Sequence, residues 1–247
     1  VGLKHFRKFF ESYQFTRIMS NTWTLRITSL LFSFPIPVVF ALMLNELTNM
    51  RVKRNIQTVS YAPYFISITV IASMLYMLMD ARVGPINQLI AALGGQRISF
   101  MSESSMFIPI YVASGIWQSM GYSAVIYLSS LSGVDPELHE AAIIDGTNRM
   151  QKIWHIDLPC IKPTIVILLI LSAGRVLGQG FEKAYLLQND LNKDTSEIIA
   201  TYVYKIGLVQ VQYSYSAAIG LFNSIINCTL LVITNAIARR LGDTSLF

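Results

Sequence analysis

Two groups of residues in this chain have the types and spacing to do chemistry. The first is the run Glu137-Leu138-His139-Glu140-Ala141-Ala142-Ile143-Ile144-Asp145-Gly146-Thr147, polar and helix-prone between long apolar stretches. Read as one helix over 136–144, it sets Glu137, Glu140 and Ile144 along one side. Gly146 can adopt the left-handed conformation that ends a helix. Thr147 or Asn148 can then cap a second helix, and Gln151 completes a capping-box pattern with Asn148. Leu158-Pro159 is expected to end that second helix and turn the chain back. The product is a stiff helix–turn–helix. Its chemistry is recognition: a docking surface for a soluble partner, or an ordinary capped hairpin.

The second group is polar residues embedded in apolar runs: Arg26, Trp117, Gln118, Arg175, Gln179, Asn223 and Asn227. Polar groups at such positions are costly and tend to face a cavity or a partner. Trp117 beside Gln118 pairs an aromatic platform with an amide, which suits stacking on a sugar and bonding its hydroxyls. Arg175 suits a carboxylate, or equally pairs with Glu182. Asn223 and Asn227 share a helix face and can line a path or join helices. Arg26 is expected near a span end, its charge reaching the interface.

The elements that must position these groups are membrane spans. Of 247 residues, 53% are hydrophobic and only 13% charged, against about 25% charged in a soluble domain. The apolar runs approach the roughly 20 residues that cross a bilayer. Five spans are expected, near 22–44, 59–79, 106–131, 164–180 and 216–238, the first kinked by Pro35 and Pro37. A short helix is expected around 196–207. Asp80–Ser105, with Gly84-Pro85 and Gly94-Gly95, reads as a turn-rich connection. The fold is therefore all-α, a polytopic helical membrane protein. If loop 132–163 is cytoplasmic, residues 45–58 and Arg239-Arg240 share its side and residues 1–20 lie outside. A span missing before Val1 is then expected. The basic residues divide almost evenly between the two sides, so charge bias does not fix the orientation.

Several classes are disfavoured. The net charge of +5 is dispersed rather than blocked, so no nucleic-acid partner is expected. Cys160 and Cys228 form no disulfide framework. There is no zinc spacing and no nucleophile–base constellation, and His5, His139 and His155 read as solvent-facing. No Gly-x-x-x-x-Gly-Lys-Ser/Thr run occurs, so any nucleotide hydrolysis belongs to another polypeptide.

The spacing Glu140-Ala141-Ala142-x-x-Asp145-Gly146-x(9)-Ile156-x-Leu158-Pro159 resembles the signature loop of type I binding-protein-dependent ABC importer permeases. Thr147 stands where alanine is usual in that family, and Ile153 where an aromatic is common. Val1-Gly2-Leu3-x-x-Phe6, Asn21-Thr22, Leu44-Asn45-Glu46, Gly178–Tyr185, Thr201-Tyr202-Val203-Tyr204, Tyr213-Ser214, Gly220-Leu221-Phe222 and the terminal Ser245-Leu246-Phe247 look like the subfamily importing oligosaccharides and polysaccharide fragments.

The resemblance implies a type I ABC importer transmembrane domain over 21–242 in a bacterial cytoplasmic (inner) membrane, and a transport subunit rather than an enzyme. Glu140, Ala141, Ala142, Asp145, Gly146 and Thr147 would form the coupling loop that docks on an ATPase. The implied partners are a second homologous permease in a heterodimer, two ATPase subunits carrying ATP and magnesium, an extracytoplasmic solute-binding protein, an oligosaccharide and the lipid bilayer. The chain itself would bind no cofactor or metal. A type I permease for another small solute, and a non-transporting membrane scaffold or sensor, are the alternatives.

Overall fold

The computed structural model describes residues 2–174 and 180–241. Every regular element among them is helical: α1 (Lys4–Phe10), α2 (Phe15–Ser33), α3 (Pro35–Asn45), α4 (Met50–Tyr61), α5 (Ile68–Leu78), α6 (Pro85–Ala92), α7 (Phe107–Ser132), α8 (Pro136–Ile144), α9 (Arg149–Lys152), α10 (Leu158–Gly174), α11 (Phe181–Leu187), α12 (Lys193–Ser196), α13 (Ile199–Tyr204) and α14 (Tyr213–Leu241). They group into two compact units.

Of the five expected spans, three to four are counted directly. By length and composition, three helices among the described residues qualify: Phe15–Asn45, Arg149–Gly174 and Tyr213–Arg240. A fourth is counted if Met50–Phe65 and Ile68–Leu78, bent by 99° at their break, form one span. The span expected over 59–79 is thus built from two helices, with Pro63 in the short turn between them. At 26 residues, α7 is about 39 Å long, enough to cross. Trp117, Gln118 and its serines make it less apolar than the other three.

The first unit comprises Val1–Ser29, Ile66–Ser114 and Arg175–Leu230. Its core joins Phe9, Ile18, Ile199, Tyr202, Ile206, Tyr215 and Ile219. Residues 2–20 are therefore packed structure, with Phe9 fully buried. Polar side chains hold the connections. The Asn87 amide donates to the carbonyls of Met79, Asp80 and Ile98 at 3.3, 3.0 and 2.9 Å, and its oxygen accepts from the Ile98 N–H at 2.8 Å. This carboxamide organises the stretch read as a plain turn-rich connection, which also contains α6, started by Gly84 and Pro85. Asn192 likewise donates to Met101 and Leu187 carbonyls at 3.1 and 2.9 Å. Asn21 and Thr22 bind the start of α13: Asn21 donates to the Asp194 and Glu197 carbonyls, and Thr22 Oγ1 accepts from the Ile199 N–H at 2.9 Å.

The second unit comprises Leu30–Phe65, Gly115–Gly174 and Leu231–Phe247. Its core packs α3, α7 and α10 through Val38, Ala41, Leu42, Ala124, Tyr127, Leu131 and Ile161. Ser130 and Thr164 hydroxyls meet at 3.0 Å across α7 and α10. At Gly121, α7 comes so close to α4 that a Cβ would lie 2.2 Å from the Ser60 carbonyl oxygen; only glycine permits this approach.

Candidate functional site

The loop singled out in the sequence is folded as two capped helices within the second unit. Asp135 starts α8, its carboxylate accepting from the Glu137 N–H at 3.0 Å. The helix ends at the predicted glycine, which has φ +70°. The Gly146 N–H bonds the Ile143 carbonyl at 3.1 Å and the Thr147 N–H bonds the Ala142 carbonyl at 3.0 Å. That pair of bonds is the Schellman termination, which satisfies the orphan carbonyls of the last turn. Thr147 adds a third bond, its hydroxyl donating to the Ala142 carbonyl at 2.8 Å. Asn148 and Gln151 form the expected capping box, at 2.9 and 2.8 Å.

Leu158-Pro159 does not end the second helix. Helical structure runs from Arg149 to Gly174 because Ile153–Asp157 widens into a π turn, with the Leu158 N–H reaching the Ile153 carbonyl. Proline lacks an N–H and clashes with the carbonyl four residues back. The wide turn just before it absorbs both defects, as π bulges do. Cys160 is consequently helical and exposed, like Cys228, and both are free thiols.

Glu140, Ala141 and Asp145 face solvent while Ala142 is buried beneath them. Beside them, Ile143 is 73% and Ile144 85% exposed, and Leu138, Met150 and Trp154 are also open. Leu138, Ile143 and Ile144 are thus apolar side chains that face outward beside the charges of α8.

The inward side of the loop carries charges. His139 Nε2 lies 3.6 Å from Oδ1 of Asp157, whose side chain is 1% exposed. Lys152 Nζ lies 2.5 Å from Oε1 of Glu46, the residue capping the carboxyl end of α3. His139 is therefore not solvent-facing, and His5 is half-buried against Tyr215. Glu46 and Lys152 were missed as partners. Each is an ordinary charge at a helix end, and no local signal joins positions so distant in sequence. A charged residue just past a span was the only available hint.

The pathway candidates fall in different units. Trp117 and Gln118 lie in the second, and Asn223 and Asn227, half-buried on α14, in the first. Trp117 lines a mostly apolar cavity of about 420 Å³ with Phe40, Asn55, Ser60, Pro63 and Met120. Arg175 and Gln179 lie outside the described residues. Arg26 departs from its expectation: α2 starts at Phe15, so Arg26 sits well inside the helix, is buried, and lies against Tyr111 and Gly180. Lys183 is also buried there, donating to the Tyr111 carbonyl at 2.8 Å, and burial pulls its ammonium down to about 8.

A family model described as the binding-protein-dependent transport system inner membrane component matches residues 19–243. The chain belongs to this family. It is a permease subunit of an ABC importer and not itself an enzyme. The permease is 42% identical over 247 residues to Protein LplB of Bacillus subtilis (strain 168), covering 100% of this chain and 78% of that one. It is 41% identical to the polygalacturonan/rhamnogalacturonan transport system permease protein YteP of the same organism, covering 100% and 77%. Among solved structures it matches a chain of a bacterial alginate ABC transporter in complex with an alginate pentasaccharide-bound periplasmic protein. That match has a TM-score of 0.97 and 36% identity, covering 100% of this permease and 85% of that chain. The fold is thereby that of the type I importer permeases.

Proposed function

We propose that this permease imports oligosaccharides, foremost acidic polysaccharide fragments, as one half of a transmembrane heterodimer driven by two ATPase subunits. The observation that carries the reading is the hairpin of α8 and α9. It is stiffened by a Schellman turn and a capping box, and it presents Glu140, Asp145, Ile143 and Ile144 outward. A surface of that kind suits a cleft in an ATPase. Ala141 and Ala142 keep the helix slim, and Gly146 with Thr147 sets the turn. ATP and magnesium belong to the ATPase. The relatives named for polygalacturonan, rhamnogalacturonan and alginate support the substrate class.

The permease crosses a bacterial cytoplasmic membrane five times: by α2–α3, α4–α5, α7, the apolar part of α10, and α14. Loop 132–163 is cytoplasmic, residues 1–20 are outside, and a solute-binding protein delivers substrate there. Trp117 supplies a stacking platform at the wall of its cavity. Gln118 in the second unit, and Asn223 and Asn227 in the first, are the described candidates for hydrogen bonds to substrate.

The test is reconstitution of the complete importer in proteoliposomes, with uptake of a labelled uronic-acid oligosaccharide as the readout. Gly146→Val forces a β-branched residue to positive φ, costing about 1–2 kcal/mol. It is expected to abolish uptake and substrate-stimulated ATP hydrolysis with membrane insertion intact. Gly146→Asn, which tolerates that conformation, is expected to keep both. No uptake of any oligosaccharide by the unaltered importer, or normal coupling in Gly146→Val, would refute the reading.

A further inference from the structure

The geometry points to the Glu46–Lys152 pair as a positioning link that carries displacement of the docking helices into α3. This inference rests on the reading that α8 and α9 dock the ATPase.

The link is built in steps. The turn at Gly146 and the capping box make α8 and α9 move as one body. His139, on the inward side of α8, lies 3.6 Å from Asp157, which ties α8 to the π turn at the base of α10. Lys152, the last residue of α9, reaches Glu46 at 2.5 Å, with the two side chains only 23% and 13% exposed. Glu46 sits directly on the end of α3, whose Val38, Ala41 and Leu42 form the core with α7 and α10. A push on the hairpin thus has two exits. One is covalent, through the continuous helix into α10, and passes through the π turn, where the wide backbone ring is a place for helices to flex. The other is ionic, into α3.

Charge explains why the ionic exit holds. Two largely buried carboxylates, Glu46 and Asp157, face one ammonium, and the His139 imidazole offsets Asp157 only when protonated. Removing one partner of a withdrawn pair strands the other in a poorly solvated site, which is strongly unfavourable. The pair therefore stays closed while the hairpin moves, and α3 follows.

The experiment measures oligosaccharide taken up per ATP hydrolysed, using complete importer recovered through a tag on the ATPase. Losses from misfolding then drop out of the ratio. Glu46→Gln and Lys152→Met are expected to lower uptake per ATP by roughly tenfold while the ATPase still co-purifies. Lys152→Arg, which keeps the charge, is expected to keep the ratio. The exchanged pair, Glu46→Lys with Lys152→Glu, is expected to restore most of it. An unchanged ratio in both single variants would overturn the link. Failure of either single variant to assemble with the ATPase, unrescued by the exchange, would also overturn it, by showing a purely structural pair. Failure of the unaltered chain to recover an ATPase would instead strike the docking reading itself.

Discussion

Glu197 in the first unit and Asp157 in the second are both carboxylates withdrawn from solvent, with side chains 3% and 1% exposed. They are treated very differently. Glu197 accepts from Arg17 at 2.8 Å and from Lys205 at 3.3 Å. Asp157 has its nearest cation in His139 at 3.6 Å, with Lys152 and Glu46 also in its field, and among the described residues neither of its oxygens accepts a hydrogen bond. The same contrast extends around each residue. Asn87 and Thr22 in the first unit are bonded to backbone groups and Asn192 to backbone groups and the Ser196 hydroxyl, whereas the charges beneath α8 in the second are paired through single contacts. Fully satisfied buried polar networks rigidify a unique arrangement, and partly satisfied ones do not. The difference is local to the two carboxylate sites: Glu197 is held by two cations, whereas the ground beneath α8 is held by looser contacts.

The comparison breaks most severely at Gly121. Gly121→Val drives a side chain into the Ser60 carbonyl, and backbone cannot yield as a flexible side chain can. A cost of about 3 kcal/mol or more is expected, read as a large fall in Tm in detergent; an unchanged Tm would contradict the close approach. The comparison sharpens next at the two carboxylates. Glu197→Gln leaves Arg17 and Lys205 short of their counter-charge and is expected to cost about 3 kcal/mol. Asp157→Asn removes a buried charge that no donor satisfies and is expected to change stability by less than about 1 kcal/mol. Equal losses of Tm in the two variants would erase the distinction between the two sites. The smallest effect is expected at Glu11, whose pair with Arg7 at 2.7 Å is open to solvent. Glu11→Gln should shift stability by less than about 0.5 kcal/mol, and a larger shift would mean that exposed pairs also hold the first unit.

What the sequence disclosed followed local rules. Helix α8, the left-handed Gly146 and the Asn148–Gln151 capping box are each written within a few residues, and all appear as read. Near-continuous apolar runs disclosed the helical membrane class. The misreadings arose where distant or compensating effects decide. Leu158-Pro159 is a stop signal by local rules, but the π turn before it supplies what the proline removes. Arg26 looks like an end-of-span residue until α2 is seen to begin at Phe15, which carries the guanidinium inward to Tyr111. Asn87 had no signal, because its partners, apart from neighbouring loop carbonyls, include a backbone N–H eleven residues on. Glu46 and Lys152 meet only because α3 and α10 pack, and one sequence does not contain that information. The outward face of α8 was half legible: Glu140 and Asp145 stood out as charges, while exposed Ile143 was indistinguishable from core.

The central claim is that α8 and α9 of the second unit dock the ATPase. Its most direct test is photo-cross-linking of the assembled importer in native membranes. A photoreactive residue is placed at Ile144 in one sample and at Leu208, an exposed apolar position of the first unit, in another. The account predicts a cross-link to the ATPase subunit from position 144 and none from position 208. A cross-link from 208 and none from 144 would contradict it.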